Sequence, residues 1–118
     1  MSLEESLFAL LGPLVAGRCT PDVTDDNPVY PLIVYQGAGG QAIDYADQTP
    51  ADKDNARVQV WVWCLTRLEA SALSRQVRDV LLASNLTVKT LGAAVPDTNA
   101  VLKLYGARTD FSIWYPRT

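Results

Sequence analysis

The sequence contains no histidine. That absence removes the side chain that most often acts as a general base near neutral pH, the usual Ser-His-Asp and Cys-His pairings, and the commonest zinc ligand. Cysteine is scarce as well: Cys19 and Cys64 are the only two, too few for a disulfide framework or a thiolate metal set. Both are expected to be free, small core residues, since a bridge would need an oxidising compartment. A nucleophilic thiol needs a cationic neighbour, whereas Cys64 ends an alternating valine run and reads as buried. Positive charge is also short. A net charge of −3 and a pI of about 4.7 leave no basic footprint for nucleic-acid phosphates. No apolar run approaches the roughly 18 residues of a membrane span. The first residues, MSLEESLFALLGPLVAG, have an apolar centre but carry Glu4 and Glu5 where a signal peptide would be basic. The expectation is a soluble chain without membrane contact, synthesised in a cytoplasm.

Phosphate-binding glycine motifs are missing too. GAGG at 37–40 follows a strand-like run but opens no helix. Aspartates gather in two loops, Asp22, Asp25 and Asp26 in one and Asp44, Asp47, Asp52 and Asp54 in the other. DYADQTPADKDN lacks the ordered oxygen spacing and turn glycine of a calcium loop. A hydrolytic carboxylate pair needs no fixed spacing, yet acidic residues in proline-rich loops are ordinarily just solvated. The chain reads as a non-enzyme, with no cofactor and no metal site.

What is present is an ordinary globular composition, 48% hydrophobic and 19% charged over 118 residues. That length suits one domain, 1–118, burying about two-thirds of its unfolded surface. Ser2 and Glu5 have capping-box spacing, and Leu3, Leu7, Leu10, Leu11 and Leu14 recur at helical spacing. Gly12-Pro13 should kink or end this helix, with Gly17 as its cap. CTPDVTDDNPVYP reads as an irregular connection, and LIVYQ as a strand. A long polar loop at about 37–55 follows, either solvated or an arm that orders against a partner. Its Asp44, Tyr45, Asp47, Asp52, Lys53 and Asp54 are candidate assembly residues. ARVQVWVWC is a strand, and Thr66 with Glu69 opens a second helix. That helix buries Ala70, Leu73, Val77, Val80 and Leu81 and turns Arg67, Arg75, Arg78 and Asp79 to solvent. LTVKTLG is a strand, AAVPDTN a turn region, and VLKLYGA with DFSIWY a closing pair. The fold expected is α+β: a mostly antiparallel sheet of about four to five strands with two helices packed on one face.

Alternation assigns faces to these strands. Val58, Val60, Val62, Leu102, Leu104, Phe111 and Ile113 make an apolar face suited to lie under the helices. The other face holds Arg57, Gln59, Trp61, Trp63, Lys103, Tyr105, Ser112 and Trp114. Tryptophans there could be tucked under the long loop, or the facing could be reversed. Alternatively they form a protein–protein surface, since amphipathic aromatics beside arginine are what interface centres favour. Stacking of bases is a third reading, disfavoured by the missing basic groove. The candidate interface set is Arg57, Gln59, Trp61, Trp63, Tyr105 and Trp114.

The order of pieces is familiar. SLFALLGPLVAGR, YPLIVYQ, a long polar loop, RVQVWVWC running directly into TRLEASALSRQVRDVLL, and the closing LYGARTDFSIWY together resemble the tail completion proteins of tailed bacteriophages. These are also called tail-to-head joining or tail terminator-like proteins. The likeness runs from about residue 7 to 115 and rests on patterned apolar segments, not on catalytic residues. It implies a small α+β subunit of the virion tail, synthesised in the bacterial host. Such a subunit assembles as a ring, generally a hexamer, and caps the tail tube while facing the head connector. The expectation drawn is a non-enzymatic phage or prophage structural protein whose partners are itself, the tail tube and the connector. The alternative is a small adaptor module of a non-viral phage-tail-like or secretion assembly, which neighbouring genes would distinguish.

Overall fold

The structure, a computed structural model, describes residues 2–23, 27–40 and 53–116. Helix α1 spans Leu3–Leu11 and tightens into a 3-10 turn, Gly12–Val15. Its start is set by the predicted capping box. The Glu5 N–H donates to Ser2 Oγ and the Ser2 N–H to Glu5 Oε1, each at 3.2 Å, so two orphan donors are satisfied. Those bonds from Ser2 hold the Glu5 carboxyl below its usual range. Pro13 enters where the helix tightens, and Ala16 and Gly17 close it at φ of 52° and 83°. This is the left-handed region in which glycine carries no steric penalty.

Strands β1 (Cys19–Pro21), β2 (Leu32–Gly37) and β3 (Lys53–Cys64) follow, then helix α2 (Arg67–Leu82). Strands β4 (Thr87–Thr90), β5 (Val95–Asn99) and β6 (Leu104–Pro116) complete the chain. Among the described residues these six strands form one sheet in the order β1-β2-β3-β6-β4, with β5 also pairing β6. Of these pairings only β1–β2 is parallel. The class is α+β, with the two helices in the predicted places. Thr66 Oγ1 accepts the Glu69 N–H at 3.2 Å to start α2. The reciprocal bond that completes the box on α1 is not formed there.

Several boundaries move, each for a reason visible in the backbone. Cys19–Pro21 is a strand, not irregular chain, because Ile33, Val34 and Tyr35 offer it parallel partners. Val95–Asn99, predicted as a turn, pairs with β6 from Arg108 to Leu104. The predicted 37–55 loop is shorter: Gly37 belongs to β2, Lys53, Asp54 and Asn55 to β3, and Ala38 and Gly39 still bond to the Arg57 backbone. Asp44, Tyr45, Asp47 and Asp52, like Asp25 and Asp26, lie outside the described residues.

The largest correction concerns the closing pair. VLKLYGA and DFSIWY are not two strands; 104–116 is one continuous strand paired residue by residue with β3, from Tyr105 opposite Cys64 to Pro116 opposite Lys53. Side-chain alternation therefore carries straight through Gly106. Tyr105 falls on the side of Ala107, Phe111 and Ile113, and Leu104 on the side of Trp114. Both residues are on the opposite faces from those predicted. Leu102 precedes the strand and is exposed.

The core cluster joins Leu3, Leu7, Leu11 and Val15 with Ala70, Leu73, Val77 and Leu81 of α2. Against them lie Ile33, Tyr35, Val58, Val60, Val62, Cys64, Ala107, Phe111 and Ile113 of the sheet, which the register places on one side. Two of the three edge strands, β1 and β5, are blunt. β1 is three residues ending in Pro21. In β5, Pro96 has no N–H, the Thr98 N–H donates to Asp97 Oδ1 and the Asp97 carbonyl accepts from Arg67, both at 2.8 Å. Few backbone groups are left at these two edges to template another strand.

Candidate functional site

The register puts all three tryptophans on the side of the sheet away from the core cluster. Trp63 lies between Leu32 and Gly106, Trp61 between Val34 and Arg108, and Trp114 between Asn55 and Thr87. Arg57 and Gln59 share this face through their pairing with Ser112 and Asp110. Five of the six predicted interface residues are thus brought together. Tyr105 is not: it sits on the helix side, with the Arg67 guanidinium 5.4 Å from its ring centroid. Arg67 is accordingly not a free solvated residue as predicted, because it also donates to the Gly106 carbonyl at 2.7 Å. The predicted loop residues Lys53 and Asp54 open β3 and, being adjacent, point to opposite faces.

The tryptophan face changes character along the strands. At one end Trp63, Tyr30, Asn99, Leu102 and Leu104 line a shallow cavity of about 180 Å³. Gly106 makes room for Trp63: a β-carbon there would come within 2.7 Å of the indole. In the middle, Asp110 accepts from Arg57 Nη2 at 2.7 Å, with Arg108 Nε 3.7 Å from its other oxygen. Beyond, Asn55 Nδ2 donates to Ser112 Oγ at 2.9 Å. Leu32, Val34 and Leu104 are buried on this face although neither helix supplies residues to it, while the tryptophans remain only half-buried. Aromatic rings, an arginine pair and amides over a thin apolar floor resemble the centre of a protein interface.

Alternation within DFSIWY already places Asp110 beside Trp114, but sequence reasoning missed Leu32, Val34, Leu104 and Arg108 as companions of the tryptophans. LIVYQ is an unbroken apolar run, so nothing in it marks which residues face which side. Arg108 and Leu104 were hidden by reading VLKLYGA and DFSIWY as separate strands with a break at Arg108-Thr109. The only signal available was the absence of a proline, asparagine or second glycine to turn the chain there.

No group of three or more histidine, cysteine or acidic side chains suited to a metal is found among the described residues. Both cysteines are free and buried. Burial pushes each thiol up from 9.0 to about 11, with Glu69 adding to the effect at Cys64. A raised folded pKa means the folded state holds these protons more tightly, so this contribution to stability is present below 9.0 and is lost as pH rises through about 11. At about pH 8 the native protein is expected to leave both thiols unlabelled by maleimide until denaturant is added. Rapid native labelling would place a thiol at the surface instead.

A family model described as tail completion protein gp17 matches residues 5–116. No curated protein matches the chain.

Proposed function

The chain belongs to the tail completion protein family of bacteriophages, matched over nearly its whole length, and we propose that it works as a ring that caps the tail tube and joins it to the head connector. Membership of the family makes it a structural component of the phage tail that meets other tail and head proteins. The finer reading is that the subunit acts without catalysis, with itself, the tube and the connector as partners, and that the ring is a hexamer. It is synthesised in the host cytoplasm before assembly.

The observation that carries this reading is the tryptophan face. Trp61, Trp63 and Trp114 stand half-buried on the side of the sheet that the helices do not contribute to. An aromatic surface of that kind seldom stays bare. The blunt β1 and β5 edges disfavour strand addition there. A closed ring needs two different patches on each subunit, and the face supplies one of them.

Two measurements test the proposal: native mass for the ring, and joining of purified heads to tails in the presence of the protein. A strict monomer at high concentration that also fails to join heads to tails would sink it. Within this reading, Trp61→Ala is expected to weaken assembly about tenfold while costing the folded subunit only about 1 kcal/mol. Equal losses in assembly and in melting would return Trp61 to the core.

A further inference from the structure

On the helix side of the sheet a groove of about 260 Å³ lies between α2 and the chain that joins β4 to β5. Arg67, Arg75 and Arg78 line it from the helix, and the small residues 92–94 line the opposite wall. Ser74 and Thr109, the one serine and the one threonine buried among the described residues, line it as well. No carboxylate does. Arg67 is fixed by its bonds to the carbonyls of Gly106 and Asp97. Arg75 and Arg78 are exposed and make no ion pair among the described residues, even with Asp79 one turn from Arg75. Positive charge and buried hydroxyls thus share one groove, without a counter-ion, on a chain whose net charge is −3.

We propose that this groove docks an extended acidic segment of another tail or head protein, seating successive carboxylates against the arginines and the Thr109 hydroxyl. The inference rests on membership of a family whose proteins meet other tail and head proteins, and not on the ring. Charge selects the ligand class, because guanidinium groups without an ion-pair partner take carboxylates in charge-assisted hydrogen bonds. Spacing selects a segment over a free anion. Arg67 and Arg78 are eleven residues apart on α2, about 16 Å along its axis. Arg67 is tied to backbone carbonyls and cannot swing toward the other two. A lone phosphate or carboxylate therefore meets one end of the stripe only. In an extended chain, alternate side chains point the same way about 7 Å apart, so three alternating acids cover most of its length. Duplex phosphate is the less suited polyanion, because the whole subunit is acidic and would repel it.

The test titrates a fluorescent peptide of alternating aspartate and serine against the full-length protein, read by anisotropy. Binding is expected at low salt and should vanish near about 0.5 M salt. R75Q/R78Q should weaken it about tenfold, as should asparagine in place of every aspartate of the peptide. Thr109→Val, which leaves every charge in place, should weaken it about threefold. Both arginines are exposed and glutamine suits a helix, so circular dichroism should show R75Q/R78Q folded as the parent. Peptide binding that either variant leaves unchanged overturns the inference, since the contact then lies elsewhere or is bare surface charge. So does a DNA duplex, or inorganic phosphate, bound as tightly as the peptide. Self-association lowered by R75Q/R78Q in a chain that ignores the peptide gives the groove to a second copy, and overturns it too. Native mass reads the ring separately. If the peptide binds as described but the chain never associates, the ring fails and the groove stands. If a ring forms and the peptide does not bind, the groove fails and the ring stands.

Discussion

Gly106→Ala is expected to destabilise the subunit by about 1–3 kcal/mol, measured by urea unfolding with an unchanged m-value. The direction is the informative part. Gly106 has no left-handed backbone angle, so alanine there would ordinarily stabilise by roughly 0.4–1 kcal/mol through the unfolded chain. Space decides otherwise. A β-carbon at 106 would lie 2.7 and 2.8 Å from the Trp63 indole and 2.8 Å from the Val62 carbonyl oxygen, and the last of these is backbone that cannot swing aside. Trp63→Ala should recover part of the loss in the double variant, since it removes the two ring contacts but not the carbonyl one. A neutral or stabilising Gly106→Ala would mean that Trp63 does not lie over this residue, and the face would have to be redrawn.

Phe111→Ala should cost still more, about 3–5 kcal/mol, enough to leave much of a marginally stable subunit unfolded. Phe111 is fully buried in the cluster that joins both helices to the sheet, opposite Val58 and Thr90. Removing its ring forfeits the transfer free energy and leaves a cavity that neighbours from three elements cannot collapse into together. The comparison with Trp61→Ala separates the two faces of the sheet: loss of Phe111 should lower the melting midpoint, loss of Trp61 the assembly. If Phe111→Ala melts within about 1 kcal/mol of the parent, the helices do not pack where the register puts them.

The strand with two water-averse sides, ARVQVWVWC, shows how far pattern reading goes. Its alternation correctly separated Val58, Val60, Val62 and Cys64 from the tryptophans, because a period of two is a local property of extended backbone. The same rule failed at 104 and 105. There the rule was sound but was applied to two strands where the chain has one, and a single break in phase inverts every residue beyond it. The two-strand reading breaks the phase at Arg108-Thr109, where nothing local shows that the strand continues. Nor does local sequence show why Gly106 is a glycine, which is to admit the indole of a residue 43 positions earlier in the chain.

Local chemistry was therefore enough for the caps at Ser2 and Thr66, most of the apolar stripe of each helix (Val80 is only partly buried and Ser74 is buried instead) and the class of the fold. Each depends on residues within a turn or two of one another, or on composition. The tertiary structure decided the rest. It made β1 and β5 strands by giving them partners, and it drew Arg67 from solvent onto the carbonyls of Gly106 and Asp97. It also placed Leu32, Val34 and Leu104 beside the tryptophans and grouped Arg75 and Arg78 with Arg67 around one groove. Hydrogen-bond partners and packing neighbours from distant parts of the chain are set by the assembled sheet, and they exist only once β3 and β6 have paired along their length.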